Sequence, residues 1–117
     1  MAAHNAIHID FLYWEECPSH DEALARLKEV LAEEQIEATV RLIHVATAAE
    51  AHALRFPGSP TIRLNGQDLF DMPAGMVAGL TCRVYYADDG RVTPLPSKEM
   101  IRQAIRRWRR NPVSRQQ

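Results

Sequence analysis

A cysteine at position 17 has the sequence context that thiol chemistry would need. The surrounding stretch reads Trp14-Glu15-Glu16-Cys17-Pro18-Ser19-His20. It follows a short apolar run and precedes a strongly helical pattern, so the thiol is expected where a strand ends and a helix begins. The free N–H groups and the dipole at a helix N-terminus favour negative charge. A cysteine held there can persist as the thiolate, which attacks disulfides and binds soft metals.

His20 stands three residues after Cys17, on the same face of the predicted helix. Its imidazolium form would favour the thiolate, whereas Glu15 and Glu16 would oppose it, so the net effect on the thiol pKa is open. The alternative is a solvent-facing histidine without a chemical role. We predict Cys17 as the catalytic thiol and His20 as its proton-transfer or electrostatic partner. The other histidines have no spacing that indicates a shared site.

The second of the two cysteines, Cys82, lies far along the chain. In a reducing compartment the pair should not form a permanent structural bridge. Cys82 could be an apolar filler, or the resolving thiol of an attacking and resolving pair. A third alternative joins Cys17, His20 and Cys82 in a soft-metal site for zinc, copper(I) or mercury. Three ligands without tight spacing are weak evidence, and we predict no bound metal.

Hydrophobic periodicity defines the elements that would position these side chains. The run from Ile7 to Tyr13 predicts a strand. Apolar residues at helical spacing predict a helix over about 18–34, with Pro18 in its first position. The other predicted elements are a strand over 38–45, a short helix from Thr47 through Leu54 with a capping box to Glu50, a strand over 61–64, a turn at Asn65-Gly66, a loop over 67–80, a strand over 81–87 and a helix from Ser97 to about Arg110.

The order β-α-β-α-β-β-α predicts an α/β fold with a mixed four-stranded sheet and helices on both faces. The two strand-helix-strand crossovers imply parallel pairing, and the closing hairpin implies antiparallel pairing. A regular hairpin would start the strand 81–87 at the end of the sheet away from Cys17. Cys82 could then approach Cys17 only if the loop 67–80 folded back.

Composition indicates one globular domain over residues 1–117, with tails at 1–6 and 111–117. No apolar run approaches the roughly 18 residues of a membrane span, and no signal peptide is evident, so we expect a cytoplasmic protein without a membrane partner. Residues 1–50 hold ten acidic and three basic residues, and residues 51–117 hold five and eleven. The arginine-rich end fits a solvated C-terminal helix whose charges oppose its dipole, so we do not expect nucleic acid. The oligomeric state is open.

The chain resembles members of the thioredoxin-fold superfamily, in particular the small glutaredoxin-like ones. The resemblance covers about residues 7–110. It rests on the element order, on a cysteine between the first strand and helix, and on Ser59-Pro60-Thr61 before the third strand. In that fold the proline before the third strand follows a cis peptide bond and lies beside the reactive cysteine. The resemblance therefore implies a cis Ser59–Pro60 bond.

The resemblance also implies a thiol–disulfide oxidoreductase or redox protein, whose partner is a small molecule or protein carrying a thiol or disulfide. The family motif is Cys-x-x-Cys, whereas Cys17-Pro18-Ser19-His20 cannot close a local disulfide. The protein could work with one thiol and glutathione as co-substrate, or Cys82 could resolve, or the scaffold could be a non-catalytic binding module. The predicted substrate-binding residues are Tyr13, Trp14, Pro18, Ser59, Pro60 and Thr61.

Overall fold

The computed structural model describes residues 7–72 and 75–110. The predicted tails lie outside these ranges. In chain order the elements are β1 (His8–Tyr13), α1 (His20–Glu33), β2 (Thr39–His44), α2 (Ala48–Ala53), β3 (Thr61–Leu64), β4 (Gln67–Asp68), β5 (Tyr85–Tyr86), β6 (Val92–Thr93) and α3 (Lys98–Arg110).

The main sheet has four strands in the order β2-β1-β3-β4. Strand β1 pairs in parallel with β2 and antiparallel with β3. The mixed sheet is therefore confirmed, but the predicted parallel second crossover is wrong. Helix α2 has six residues, which rise about 9 Å, whereas a return along a six-residue strand requires about 20 Å. The chain consequently re-enters the sheet at the end where β2 finished.

The fourth strand is not the predicted 81–87 segment. It is β4, which pairs antiparallel with β3 directly after the Asn65-Gly66 turn. Both turn residues have positive φ, 50° and 87°, as a two-residue hairpin of the primed type requires. The next strand must then begin at once, inside the region predicted as a loop. Of the 81–87 segment, Tyr85 and Tyr86 form a separate two-stranded sheet with β6.

Helices cover both faces of the main sheet, as predicted. On one face α1 and α3 pack over β1 and β3, and the core includes Phe11, Leu27 and Ile105. On the other face Leu12 packs with residues of α2 and its flanking segments, among them Phe56. Alternate residues of a strand point to opposite faces, so adjacent Phe11 and Leu12 serve different cores.

Helix caps follow the sequence closely except at the start of α1. The Thr47–Glu50 capping box of α2 is present, and the Ser97 hydroxyl accepts from the Met100 N–H of α3 at 3.0 Å. Helix α1, however, begins at His20 with Ser19 as its N-cap. The prediction that Pro18 opens the helix is wrong, because Pro18 lies in the turn before the cap. No helix within the described ranges is long and apolar enough to cross a membrane.

Candidate thiol site

Cys17 lies in the turn that joins β1 to α1. Its N–H donates to the Trp14 carbonyl at 3.0 Å, which bends the chain out of the sheet before the helix starts. The side chain is only 1% exposed. Its sulfur is 3.3 Å from the Ser19 hydroxyl and 3.4 Å from the Ser59 carbonyl oxygen. The thiol thus sits between the α1 cap and the segment that precedes β3.

The surroundings of Cys17 favour its thiolate. Burial by itself raises the pKa of the thiol, but interactions with Ser19, Cys82 and Ser59 outweigh it, and the pKa lies below its ordinary value. The Ser59 side chain is fully buried, and its hydroxyl has no partner at normal hydrogen-bond distance among the described residues. Because the Ser59 carbonyl lies 3.4 Å from the Cys17 sulfur, the unused hydroxyl of the same residue is available to donate to a Cys17 thiolate.

Cys82 is brought to Cys17 by the segment that follows the 67–80 region. The Ser59 N–H donates to the Thr81 carbonyl at 2.8 Å, and the Arg83 N–H donates to the Ser59 carbonyl at 2.9 Å. This parallel bridge places Cys82 opposite Ser59. The neighbouring Cys17 sulfur raises the pKa of the Cys82 thiol. The chain therefore folds back so that Cys82 approaches Cys17. Both cysteines are free thiols.

Arg83 anchors this segment to the sheet. Its guanidinium forms two hydrogen bonds with Asp68 of β4, at 2.8 and 3.1 Å, and a third with the Thr61 hydroxyl at 3.2 Å. Both side chains of the ion pair are at least nine-tenths buried. The guanidinium also lies over the Tyr85 ring, 4.8 Å from its centroid. The Tyr85 hydroxyl donates to the Pro60 carbonyl. Arg83 and Tyr85 together therefore hold the chain next to the Ser59–Pro60 bond.

The predicted site residues separate into two groups. The Ser59–Pro60 bond is cis, as expected, and Ser59 lies beside Cys17. Pro60 and Thr61 are buried, and the Thr61 hydroxyl donates to the Gly58 carbonyl at 2.6 Å. That hydroxyl is therefore part of the internal support of the site. Pro18 is exposed beside the thiol turn.

The His20 side chain makes contacts with residues other than Cys17. Its ring stacks on Tyr13 at 4.7 Å, and Tyr13 stacks on His44 at 5.2 Å. The His20 Nδ1 is also 3.3 Å from an Asp21 carboxylate oxygen. The groups that act on the pKa of Cys17 in the described part of the chain do not include His20. Trp14 is partly buried against the core under α2, so its role as a groove wall stays a prediction.

A pocket of about 820 Å³ opens beside the pair of thiols. Of the two cysteines, only Cys82 lines it. Its walls come from β4 and the chain after it, from the 82–86 segment and from α3. Among the described residues, no group of three His, Cys, Asp or Glu side chains could hold a metal ion. The three-ligand site considered for Cys17, His20 and Cys82 is therefore not formed.

Four residues of the site escaped the sequence reasoning: Ser19, Asp68, Arg83 and Tyr85. Ser19 had a local signal, because a hydroxyl two residues after a thiol at a helix start can reach back to it. Arg83 and Asp68 had none. An isolated arginine and an isolated aspartate are normally exposed, and only their meeting across the sheet edge buries them.

No family model matches the chain, and no curated protein sequence matches it. Among solved structures, the fold is similar to the crystal structure of a Bordetella parapertussis protein, a structural genomics target. The two share 18% sequence identity with a TM-score of 0.51, and the match covers 88% of this chain and 98% of the other. The likeness concerns the fold, a mixed α/β sheet with packed helices.

Proposed function

We propose that this protein is a thioredoxin-like thiol–disulfide redox protein that acts through Cys17, with Cys82 as its second thiol. The observation that carries the proposal is the parallel bridge between Ser59 and Cys82, which brings the Cys82 thiol to the buried Cys17 sulfur beside Ser59, where the pKa of Cys17 is lowered. A thiol with a lowered pKa is prepared to carry negative charge, and a neighbouring thiol is prepared to close a disulfide with it.

The architecture supports the fold part of this proposal. The strand order β2-β1-β3-β4, with β3 antiparallel to its neighbours, is the arrangement expected of a thioredoxin-like domain. Helices α1 and α3 share one face of the sheet and α2 takes the other. The reactive cysteine ends the segment after β1, and the cis Ser59–Pro60 bond lies beside it. A thiol pair that cycles between dithiol and disulfide suits a reducing compartment, and our proposal therefore includes a cytoplasmic location.

The chemistry of the pair is a two-electron exchange. When the protein is oxidised, the substrate takes two electrons and its S–S bond breaks, and the two protein sulfurs form one S–S bond. Two protons pass to the released thiols. This arrangement replaces the local Cys-x-x-Cys pair by a long-range pair, since position 20 is histidine. Glutathione, or another small thiol, would return the protein disulfide to the reduced state.

Mass spectrometry after mild diamide oxidation, with and without glutathione, tests the proposal. We expect the wild-type chain to lose two hydrogen atoms and to give a peptide cross-linked through Cys17 and Cys82. Each single variant, Cys82→Ser or Cys17→Ser, should instead form a glutathione adduct on its remaining cysteine, more slowly on the buried Cys17, whereas the double variant should be inert. Alkylation of Cys17 should titrate below the free thiol value of about 8.5. Unmodified thiols combined with an alkylation midpoint at or above that value would contradict the proposal and favour a non-catalytic binding module.

A further inference from the structure

The two thiols of the site differ in access. The Cys17 side chain is 1% exposed, whereas Cys82 is exposed and forms part of the pocket wall. A substrate disulfide must present its sulfur in line with the attacking sulfur. A bulky substrate cannot meet that condition at Cys17 without moving the 81–83 segment, which is held on both sides of Cys82 by hydrogen bonds to Ser59.

The pocket has an apolar and aromatic character. Three methionines line it, and methionine adapts its shape to irregular apolar ligands. Two exposed apolar side chains, Val84 and Tyr86, continue the same surface at its rim, 51% and 65% exposed. Contiguous exposed apolar surface of this kind marks binding sites. The apolar and aromatic lining residues include Phe70, Met72, Met76, Tyr86, Met100 and Trp108.

The charges of the pocket favour a neutral ligand. Its charged lining residues are two aspartates, Asp68 and Asp71, and two arginines, Arg83 and Arg107. Asp68 and Arg83 neutralise each other in the buried ion pair. The remaining pair is one of each sign, so the lining has no net charge to attract a polyanionic disulfide such as oxidised glutathione. The volume of about 820 Å³ lies in the range of small-molecule sites, about 300–1,000 Å³.

From these observations we infer that Cys82 is the thiol that meets the substrate, that the pocket receives a neutral aromatic or apolar disulfide, and that Cys17 is the resolving thiol. The inference rests on the proposed function and deepens it. It reverses the roles that the sequence suggested, because the fold buries the sulfur at the helix start and exposes the distant one.

The reaction then has two balanced steps. Cys17 begins as the thiolate and takes the proton of the neighbouring Cys82 thiol, and the Cys82 sulfur attacks the substrate disulfide. A mixed disulfide forms on Cys82, and the first substrate thiolate leaves and takes that proton back from Cys17. The Cys17 thiolate next attacks the Cys82 sulfur, the protein disulfide forms, and the second substrate thiolate leaves. One substrate disulfide is reduced and two protein thiols are oxidised.

The test uses 2,2′-dithiodipyridine, a neutral aromatic disulfide, with release of thiopyridone measured by absorbance and products identified by intact mass. We expect two equivalents from the wild-type chain, which ends as the internal disulfide. Cys17→Ser should release one equivalent and retain the mixed disulfide on Cys82. Cys82→Ser should react at least tenfold more slowly. Rapid reaction of Cys82→Ser with a slow Cys17→Ser would overturn the inference and leave the proposed function standing. Two stable mixed disulfides on the wild-type chain would instead overturn both.

A pair of identical substitutions tests the pocket itself. Val84 and Val77 are both exposed, 51% and 78%, but only Val84 lines the pocket. Val84→Ser should slow the reaction with dithiodipyridine about threefold, from the apolar area it removes, whereas Val77→Ser should not. Alkylation of Cys82 by iodoacetamide, which is too small to need the pocket, should have the same rate in both. Equal dithiodipyridine rates for the two variants would contradict the assigned pocket.

Discussion

The backbone of Gly58 is in direct contact with the backbone of Arg83. A Cβ atom on residue 58 would lie 2.9 Å from the Arg83 nitrogen and 3.0 Å from its Cα, closer than packed atoms approach. Gly58 also has a φ of +134°, a conformation that side chains strongly disfavour. This contact lets the 81–83 segment lie flat against Ser59 and carry Cys82 to Cys17.

Gly58→Ala should therefore separate the two thiols. We expect a loss of about 2–4 kcal/mol in unfolding free energy, from combined backbone strain and overpacking, measured by urea denaturation. Gly90→Ala is the matched control, because Gly90 also has positive φ, +85°, but has no atom within 4 Å of the added Cβ. It should lose about 1 kcal/mol and still form the Cys17–Cys82 disulfide. Disulfide formation at the wild-type rate in Gly58→Ala would show that the contact does not position Cys82.

Ser19 should set the reactivity of Cys17. Ser19→Ala removes a hydroxyl that favours the thiolate, so the pKa of Cys17 should rise, as measured from the pH dependence of iodoacetamide alkylation in a Cys82→Ser background. The N-cap Ser19 makes no side-chain capping hydrogen bond, and the bond that its hydroxyl donates to the Pro94 carbonyl is exposed and long, at 3.4 Å, so stability should change little. Ser97→Ala should do the reverse, losing about 1 kcal/mol through its cap without moving the Cys17 pKa. An unchanged Cys17 pKa in Ser19→Ala would refute this assignment.

His20 should not be needed to stabilise the Cys17 thiolate. Its described contacts are with Tyr13 and Asp21. His20→Ala should accordingly leave the alkylation midpoint of Cys17 where it is in the wild-type chain. A rise of that midpoint, restored by His20→Lys, would reinstate the electrostatic partnership that the sequence suggested.

The buried Arg83–Asp68 pair should be needed to keep the 81–83 segment in place. Arg83→Met leaves an unpaired carboxylate and should cost about 3–5 kcal/mol. The exposed pair Arg91–Asp89 has side chains 82% and 56% exposed, and Arg91→Met should cost less than about 1 kcal/mol. Replacing both Arg83 and Asp68 by apolar residues should recover much of the loss, since no buried charge then remains. Equal losses in the Arg83→Met and Arg91→Met variants would argue against an anchoring role.

The ion pairs between α1 and α3 should make the free energy of unfolding depend on pH. Hydrogen bonds from Lys98 and Arg102 lower the pKa of Glu33, and those from Arg106 lower the pKa of Glu34. A carboxyl with a lowered folded pKa contributes its full stability above the unfolded value, about 4.3, and loses it as the pH falls through the folded value. The urea midpoint should thus fall on acidification below about pH 4.3. Glu34→Gln should flatten that dependence, and exposed Glu37→Gln should not.

The same ion pairs give the arginines of the C-terminal helix a structural role. The sequence predicts that Arg102 and Arg106 lie on a solvated C-terminal helix whose basic residues oppose its dipole. Their guanidinium groups instead bond to Glu33 and Glu34 at the end of α1. The acidic first half and the basic second half of the chain therefore meet within the molecule, which a count of charges along the sequence does not reveal.

The sequence by itself determined the local features of this protein. The apolar period of α1, the Thr47 and Ser97 caps, the Asn65-Gly66 turn and the position of Cys17 at a strand end depend on residues within a few positions of each other. The tertiary structure alone decided that β3 runs antiparallel to β1, that Arg83 finds Asp68, and that Cys82 rather than Cys17 reaches the surface. These outcomes depend on which distant segments pair and on which side chains that pairing buries. The hydrophobic periodicity of a local stretch of sequence does not determine either.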